Sequence, residues 1–371
     1  MIDIENSKLT LKKGKKMKNI IQSILVYLFS ISIFSSANAG TLTVTGTAKA
    51  TYNIVSGFSN VEKGIGVSND LDFTGTGQTA LGKFTYQVQQ ESSAGAMNIV
   101  DQQLVLVTGY GTVGAFVSEG NLSQQNAGSR SVYGRPTDTD GGIAAEIDNT
   151  GINSYNNMQY HLPAGLLPFG IGAKIAYAPD ANANLGAKTN SLGTTRTVTG
   201  ANAGNATSYQ ITAAPIKGFA IGADYLNHGE AGNAANRSHQ NDESGAVFLK
   251  YDIGAIGIGA SKALHTPAQA MGTANTVEYY DQLNYSVSFL VNPNLSISYE
   301  QEISERKGAS VLDGVNARTK TADVKNKSNG IQAAYTVGGV TLAVAHNQHD
   351  NVGYATGKDA DNTVFAVTMA F

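Results

Sequence analysis

The sequence predicts an all-β fold, a closed antiparallel transmembrane β-barrel of about sixteen strands. Three observations lead to this prediction. Apolar and polar residues alternate along most of the chain, tight connections alternate with long polar ones, and the alternation continues to the final residue. The composition agrees, because glycine supplies 42 of the 371 residues and charged residues only 14%, against roughly 25% in average globular domains.

The segment TLTVTGTAKATYNI (41–54) shows the alternation most clearly. Apolar or small residues occupy its even positions, whereas threonine, lysine and asparagine occupy its odd positions. Successive side chains of a strand point to opposite faces, so this segment is predicted to be a strand with one apolar and one polar face. Comparable runs begin near residues 42, 66, 83, 99, 111, 152, 168, 207, 218, 244, 254, 277, 294, 328, 340 and 361.

The connections between these runs fall into two classes. Every second connection is tight and contains glycine, proline or asparagine, as at Gly109–Gly111 and Asn292–Asn294, and the intervening ones are long and polar, as at 178–206 and 302–327. Short turns on one rim and long loops on the other are typical of outer-membrane barrels. In hydrocarbon every backbone polar group must be paired, which forces the sheet to close. A secreted β-sandwich also alternates, but it does not separate short from long connections.

The last run, NTVFAVTMAF (362–371), places Phe365, Val367, Met369 and Phe371 at every second position. Chain termini usually fray into solvent, so an alternating strand that ends on an aromatic residue needs a reason. We expect this strand to pair with the first one and close the ring, with these four side chains facing lipid. A terminal aromatic residue also resembles the assembly signal that the outer-membrane insertion machinery reads.

The amino terminus predicts export. From Met17 a short basic region leads into an apolar run, and Ala37 and Ala39 form an A-x-A cleavage site before Gly40. We therefore interpret 1–39 as a signal peptide, with translation starting at Met1 or Met17, and 40–371 as the barrel domain. A transmembrane anchor is disfavoured, because the apolar run is short and contains serines. No later apolar stretch is long enough to cross a membrane as a helix.

Charge and cysteine content exclude other classes. Residues 1–39 hold six lysines and two acids, so the remaining chain carries 19 basic and 26 acidic residues and a net charge of −7. Such an exported acidic chain is a poor candidate for nucleic-acid binding. The chain has no cysteine, which excludes disulfides, thiolate metal sites and thiol nucleophiles.

Three segments rich in histidine or acidic residues are candidates for metal sites. Histidines and acids cluster in 227–242 and in 346–350, which we expect to be loops, but neither segment has a recognised ligand spacing. The segment TDTDGG (137–142) lacks the remaining ligands of a calcium loop. No histidine stands in the context of a serine hydrolase. The sequence therefore predicts no metal, no cofactor, no catalytic residue and no enzymatic activity.

Three segments in order resemble the general diffusion porins of Gram-negative bacteria. They are SNDLDFTGTGQTALGKFTYQVQQESS (68–93), QQLVLVTGYGTVGAF (102–116) and NNMQYHLPAGLLPFGIGAKIAYAP (156–179). The resemblance implies a homotrimer in the outer membrane, in contact with outer-membrane lipids. It also implies a water-filled channel through which small hydrophilic solutes and ions diffuse passively.

The family's third external loop folds back into the barrel and narrows it, and the matching segment here is 118–151. The resemblance therefore implies that this segment constricts the pore. Its charged residues, which become candidate constriction residues, are Glu119, Arg130, Arg135, Asp138, Asp140, Glu146 and Asp148.

The opposite wall departs from the family pattern. Asp70 stands where an arginine is common, Asp72 follows on the same face, Asp101 occupies a comparable position, and Gln159 replaces another arginine. Three lysines face inward by alternation and restore part of the positive charge, namely Lys49, Lys174 and Lys250. The departures predict a mildly cation-preferring pore.

Two alternatives stay open from the sequence. One is a substrate-specific channel of the same architecture, and the other is a barrel that acts mainly as an adhesin or surface receptor through its long loops. The outward face of the first strand is small at Gly46, Ala48 and Ala50. This favours close packing of that strand against another subunit.

Overall fold

A computed structural model describes residues 38–57, 62–93, 96–139, 151–179, 204–229, 238–267, 269–270, 277–308, 310–313 and 317–371. Within these residues, sixteen strands pair in sequence order into one closed antiparallel barrel. The predicted fold and strand number are confirmed. Across the same residues, no helix has the length and hydropathy to cross a membrane.

The barrel strands are numbered here in chain order. They are β1 (Asn38–Ser56), β2 (Lys63–Gln78), β3 (Gly82–Ser93), β4 (Ala96–Thr108), β5 (Gly111–Val117), β6 (Asn157–His161), β7 (Gly172–Ala178), β8 (Ala206–Ala213), β9 (Phe219–His228), β10 (Glu243–Ile253), β11 (Ile256–Thr266), β12 (Val277–Asn292), β13 (Leu295–Gly308), β14 (Val324–Val337), β15 (Val340–Asp350) and β16 (Ala360–Ala370).

The connections alternate in length as the sequence predicts. Short turns join β2 to β3, β4 to β5, and each later pair up to β14 and β15, on one rim of the barrel. The opposite rim carries the longer connections. Three of these contribute short strands outside the barrel: Ser238–Gln240 pairs with Gln269–Ala270 of a different connection, and Ser310–Asp313 pairs with Ala317–Lys320 of the same connection. The two rims therefore differ in the number of residues that connect their strands.

The last strand closes the ring against the first. β1 and β16 pair from Thr47 opposite Ala370 to Ser56 opposite Asp361. Phe371 continues the ladder, because its N–H donates to the Gly46 carbonyl at 2.9 Å and its carbonyl accepts from the Gly46 N–H at 2.8 Å. The expected closure is confirmed.

Two strands begin later than the sequence suggests. Runs predicted to start near 152 and 168 first form 3₁₀ turns, Ile152–Ser154 and Pro168–Gly170, so β6 and β7 begin at residues 157 and 172. The second turn has a clear backbone cause. Phe169 and Gly170 have φ values of 58° and 62°, a left-handed conformation that a strand cannot contain. The alternating residues at 168–170 therefore belong to a turn, and the strand starts after them.

The two faces of the barrel differ as the alternation predicts. Exposed large apolar side chains define the outward face, for example Val247 and Leu249 on β10. The intervening positions carry inward side chains such as Phe248, and on β12 the inward residues Asn284 and Ser286 are polar and buried. Phe365, Val367, Met369 and Phe371 are all exposed on the outward face. A barrel with an apolar exterior and a largely polar interior follows.

The apolar band on the outward face ends before the rim that carries the long connections. Register places Gln301 of β13 beside Tyr285 of β12 and Asn329 of β14, and Asn329 lies beside Gln348 of β15. Beyond this row, towards the rim with the long connections, charged residues such as Glu305 occupy outward positions. The band therefore ends before the strands do on this side of the barrel.

Gly46 provides the space for the last side chain. A Cβ atom on Gly46 would lie 2.7 Å from the Phe371 ring and 2.7 Å from the Asp70 carbonyl oxygen. We therefore expect Gly46→Val to displace the ring and to destabilise the closed barrel by about 1–3 kcal/mol, the usual cost of overpacking. The yield of heat-modifiable folded barrel after refolding in detergent measures this effect.

Gly75→Val is the matched control for Gly46→Val. Gly75 lies on the same outward face of β2, and the nearest atom to its added Cβ is 3.9 Å away. Equal folding yields of the two variants would contradict a special role for Gly46.

Candidate pore lining and third-loop segment

Residues 118–139, called here the third-loop segment, contact the wall over a long stretch. Inward side chains of four strands accept hydrogen bonds from its backbone. The bonds run from Gln124 N to Asp224 Oδ1 at 2.5 Å, from Arg130 N to Ser286 Oγ at 2.9 Å, from Val132 N to Ser298 Oγ at 3.0 Å, and from Tyr133 N to Gln332 Oε1 at 2.9 Å. These partners belong to β9, β12, β13 and β14, so the segment follows the inward face across six neighbouring strands.

Glu300 of β13 is one anchor of the segment. Its carboxylate is fully buried and accepts hydrogen bonds from the Ser129 hydroxyl at 2.8 Å and from the Ser131 hydroxyl. The Asn284 amide of the neighbouring strand donates to the same group. A buried carboxylate is costly unless donors surround it, so these contacts stabilise one path of the segment along the wall.

Glu302, two residues further along β13, is the second anchor. It is 1% exposed and pairs with Arg135 at 2.9 Å from Nη1 to Oε1. Thr137 donates to its other oxygen from the backbone at 3.0 Å and from the hydroxyl at 2.8 Å. Removing one partner of such a buried pair is usually strongly destabilising. Neither glutamate is among the residues predicted from the sequence.

Small residues on β11 make room for the segment. A Cβ atom on Gly259 would lie 1.8 Å from the Gly128 carbonyl oxygen, and one on Gly257 would lie 2.7 Å from Arg130 Nε. Ser261 and Ala263 occupy the next inward positions of the strand. This row of small inward residues within IGIGASKA (256–263) is the sequence signal that could have identified β11 as a contact for the third-loop segment.

An apolar cluster holds the start of the segment. Leu122 of the segment packs with Ile152 and Tyr155 and with residues of β7 to β9, namely Ala176, Ala178, Ala206 and Leu226. Tyr155 also meets the His228 ring edge-on, with centroids 5.2 Å apart. Burial, and secondarily the charge of Asp242, raises the pKa of the Tyr155 hydroxyl, so this phenol stays neutral within the cluster.

The candidate constriction residues that the structure describes are mostly paired. Arg130 contacts Asp252 at the short-turn end of β10, and Arg135 pairs with Asp138 at 2.7 Å as well as with Glu302. The Glu119 carboxylate accepts from the Gly120 N–H at 3.0 Å. The remaining three candidates, Asp140, Glu146 and Asp148, lie outside the described residues.

The candidate acids of the wall lie together on β2 and β4. Asp70 accepts a hydrogen bond from the Thr47 hydroxyl at 3.0 Å, and Asp72 accepts one from the Gln87 amide at 3.1 Å. Both donors are neutral. Asp101 lies opposite Gln89 at a β-bulge, one residue before the strand register shifts. Between them, β3 contributes a further acid, Glu91, directly opposite Asp70, which the sequence analysis missed.

The other candidate wall residues lie apart from this acidic group. Lys174 of β7 is opposite Gln210, and Lys250 of β10 is opposite Gly259, both on the inward face. Lys49 lies on β1 opposite Ser68. Gln159 is 1% exposed and donates to the Gly120 carbonyl, so its amide supports the third-loop segment.

The histidine-rich segment 346–350 is part of β15 and not a loop, which corrects the sequence interpretation. His346 points outward and bonds to the Thr363 hydroxyl at 2.9 Å, whereas His349 points inward between Ser328 and Asn362. The polar sequence is compatible with a strand here because β15 extends past the apolar band.

The other segment, 227–242, begins in β9. Asp242 lies between two strand histidines, 3.5 Å from His228 Nδ1 and 3.1 Å from His265 Nε2. Among the residues that the structure describes, no group of three or more metal-ligating side chains is arranged to hold a metal ion.

Comparison with known proteins finds the same architecture in solved porins. The chain is 14% identical to the OmpF of Salmonella typhi, solved in complex with daunomycin, with a TM-score of 0.63 over 91% of this chain and 100% of that one. It is 12% identical to an anion-selective porin from Comamonas acidovorans, with a TM-score of 0.63 over 90% and 100% of the two chains.

A third match is the trimer form of OmpT, an outer membrane protein of Vibrio cholerae, at 12% identity and a TM-score of 0.61 over 90% and 100% of the two chains. No family model matches the sequence, and no curated protein matches it either. At these identities the likeness establishes the fold: the chain is a closed barrel with the sixteen-stranded architecture of the porins.

Proposed function

We propose that this chain forms a water-filled channel for the passive diffusion of small hydrophilic solutes and ions across an outer membrane. The closed barrel with its exposed apolar exterior carries the proposal, because such a surface is stable in lipid. The inward hydroxyls, amides and carboxylates favour an aqueous path over a packed apolar core. No chemical step is needed, since the bore and its charges determine what passes.

The third-loop segment is proposed to fold into the lumen and to set the width of the channel. Its hydrogen bonds to inward side chains of β9, β12, β13 and β14 support this role. The two buried anchors, Glu300 and Glu302, hold the segment along the wall. The remaining bore would then lie between the segment and the wall formed by β1 to β5, where Asp70 and Asp72 are located.

The pore is proposed to prefer cations mildly. The loop arginines Arg130 and Arg135 are each paired with carboxylates, which reduces their attraction for passing anions. Asp70 and Asp72 accept their hydrogen bonds from neutral donors, the Thr47 hydroxyl and the Gln87 amide, and not from an arginine. A channel with low-dielectric walls concentrates counter-ions near such a group. Salt screens the field over about 8 Å at physiological ionic strength, so the preference is moderate.

Export and assembly belong to the same proposal. Residues 1–39 would be removed by cleavage near Ala39, and the insertion machinery would recognise the last strand. The subunits would form a trimer with β1 at the interface, in keeping with the trimer form of the Vibrio OmpT match. On the neighbouring strand β2, Val67 lies opposite Ala50 and Ile65 lies opposite Tyr52, and these side chains are 77% and 82% exposed. A partner subunit would cover these side chains.

The reversal potential in a salt gradient tests the charge preference. We expect the wild-type pore to be cation-preferring and Asp70→Asn with Asp72→Asn to reduce the cation-to-anion permeability ratio several-fold, because two lining charges are lost. The difference should shrink in strong salt. Asp361→Asn removes one outward carboxylate and serves as control. A chloride preference in the wild type, or an unchanged ratio in the double variant, would refute the role of these acids.

Single-channel conductance tests the role of the third-loop segment. Gly259→Val introduces atoms where the Gly128 carbonyl lies. The third-loop segment must therefore move away from β11, and the conductance should rise. Gly64→Val is the control, because Gly64 also points inward and has no heavy atom within 4 Å of an added Cβ. The same conductance in both folded variants would argue against a constriction, and the absence of any conductance in the wild type would overturn the channel itself.

Light scattering of the purified protein in detergent tests the trimer. Ala48→Leu with Ala50→Leu enlarges the outward face of β1 and should shift the trimer towards monomers. Ala223→Leu makes a comparable change on β9, half-way round the ring, and should leave the trimer intact. A native monomer, or equal oligomers in all variants, would show that β1 is not the interface.

A further inference from the structure

A groove crosses the outward face of the barrel from β8 to β12. Its volume is about 560 Å³, which is within the range of small-molecule binding sites. Apart from a single lysine, the outward side chains that line it are aliphatic, including Ile221, Leu249 and Leu283. An apolar exterior by itself needs no groove, so the cause of this depression is informative.

Alternating side-chain size produces the groove. In one row of the register, Ala213 lies beside Ile221, and Leu249 lies beside Ala260. In the next row, Ala223 lies between Ile211 and Val247. The large residues project, with Ile211 52% and Val247 54% exposed, whereas the alanines are recessed between them. The depression therefore runs obliquely across several strands and is built into the sequence.

One end of the groove carries a charge. Lys262 of β11 lines it, between Val247 of β10 and Leu283 of β12 in the register. A charged side chain on the lipid-facing surface of a barrel is destabilising unless it lies close to the polar boundary. Asp281 of β12 contacts the ammonium group, yet 46% of the Lys262 side chain stays exposed. An ammonium group has three donors, so a further acceptor can bind beside Asp281.

The height of Lys262 on the barrel follows from its position in the strand. Counted from the short-turn rim, it is the fourth outward residue of β11, after Ile256, Ile258 and Ala260. On β13 the fourth outward residue is Gln301, where the apolar band ends. Lys262 therefore lies at the boundary on the side of the long connections, and the groove descends from it into the apolar band.

We propose that this groove is a binding site for a membrane lipid with a phosphate-bearing headgroup. One acyl chain lies between the projecting aliphatic side chains and over the recessed alanines, and the phosphate accepts hydrogen bonds from Lys262. An apolar channel that leads away from a cation at the polar boundary matches the geometry of such a lipid. The inference rests on the proposed insertion of the barrel into a membrane.

A second copy of this chain is a less suitable occupant. The groove centres on β9 and β10, half-way round the ring from the β1–β16 seam. The highly exposed Ile65 and Val67 lie next to that seam, not next to the groove. An aliphatic depression with the Lys262 ammonium group at one end also offers no self-complementary surface for a subunit contact, whereas a phosphate complements the ammonium group.

Native mass spectrometry of the detergent-purified full chain tests the site. The probes are phosphatidylglycerol, phosphatidylethanolamine and diacylglycerol, all with the same two palmitoyl chains. We expect the protein to retain both phospholipids several-fold better than diacylglycerol. Lys262→Gln should remove that difference. Lys327→Gln, which alters an outward lysine on β14, is the matched control and should retain phospholipid as the wild type does.

A second variant tests the groove apart from the charge. Ala223→Leu with Ala260→Leu fills the depression without entering the barrel interior, and it should reduce retention of all three lipids several-fold. Heat-modifiable migration verifies that each variant is folded. Equal retention of diacylglycerol and phospholipid by the wild type, or unchanged retention in either groove variant, would overturn the proposal.

Channel recordings separate this site from the proposed function. The Lys262 and alanine variants should conduct as the wild type does, because the groove lies outside the barrel. A wild-type protein that does not conduct but still retains phospholipid through Lys262 would refute the channel and support the lipid site.

Discussion

The structure depends on one constraint, the pairing of every backbone N–H and C=O group within the sheet. A strand edge left open in hydrocarbon would leave a row of unsatisfied polar groups, so the sixteenth strand must return to the first. The ladder between β1 and β16 meets this requirement as far as Phe371 and Gly46. Closure then dictates the rest, because a closed sheet has one outward face and one inward face. Alternation along each strand assigns side chains to these faces.

The inward face is divided between two tasks. From β9 to β14 it carries short polar side chains, glycines and two buried glutamates, which together receive the third-loop segment. From β1 to β4 it carries threonines, glutamines and carboxylates, joined by side-chain hydrogen bonds such as Gln103 to Gln87 and Gln87 to Asp72. Strands β9 to β14 hold the backbone of the third-loop segment, and strands β1 to β4 place carboxylates on the inward face.

Local patterns were sufficient to predict the barrel. A period of two identifies a strand wherever it occurs, and glycine, proline or asparagine marks the tight turns, so strand number and rim asymmetry could be read from short windows. Parity alone assigns Asp70 and Asp72 to the inward face, whereas their role in a pore stays a prediction. The late start of β7 was missed because the 3₁₀ turn at Pro168–Gly170 continues the alternating pattern. The polar end of β15 was predicted to be a loop because the strand extends beyond the apolar band, where its outward residues are no longer apolar.

Partners across the barrel could not be predicted in this way. Ser129 meets Glu300 across a sequence separation of 171 residues, and no local pattern relates the two positions. The small residues of β11 were visible in the sequence, but their meaning depends on which chain segment lies against them. The odd or even position of a residue in its strand predicts which face it lies on. Which residue it contacts across the barrel follows only from the folded structure.

The division of the inward face has a consequence for how such a protein can change over time. Under the proposed channel function, substitutions between β9 and β14 would move the third-loop segment and alter the bore, whereas substitutions between β1 and β4 would alter the sign and density of charge. The two properties therefore reside in separate stretches of the gene. A lineage whose barrel has the proposed function could adapt to a new ionic habitat through the first quarter of the barrel alone, while the proposed sieving limit stays unchanged.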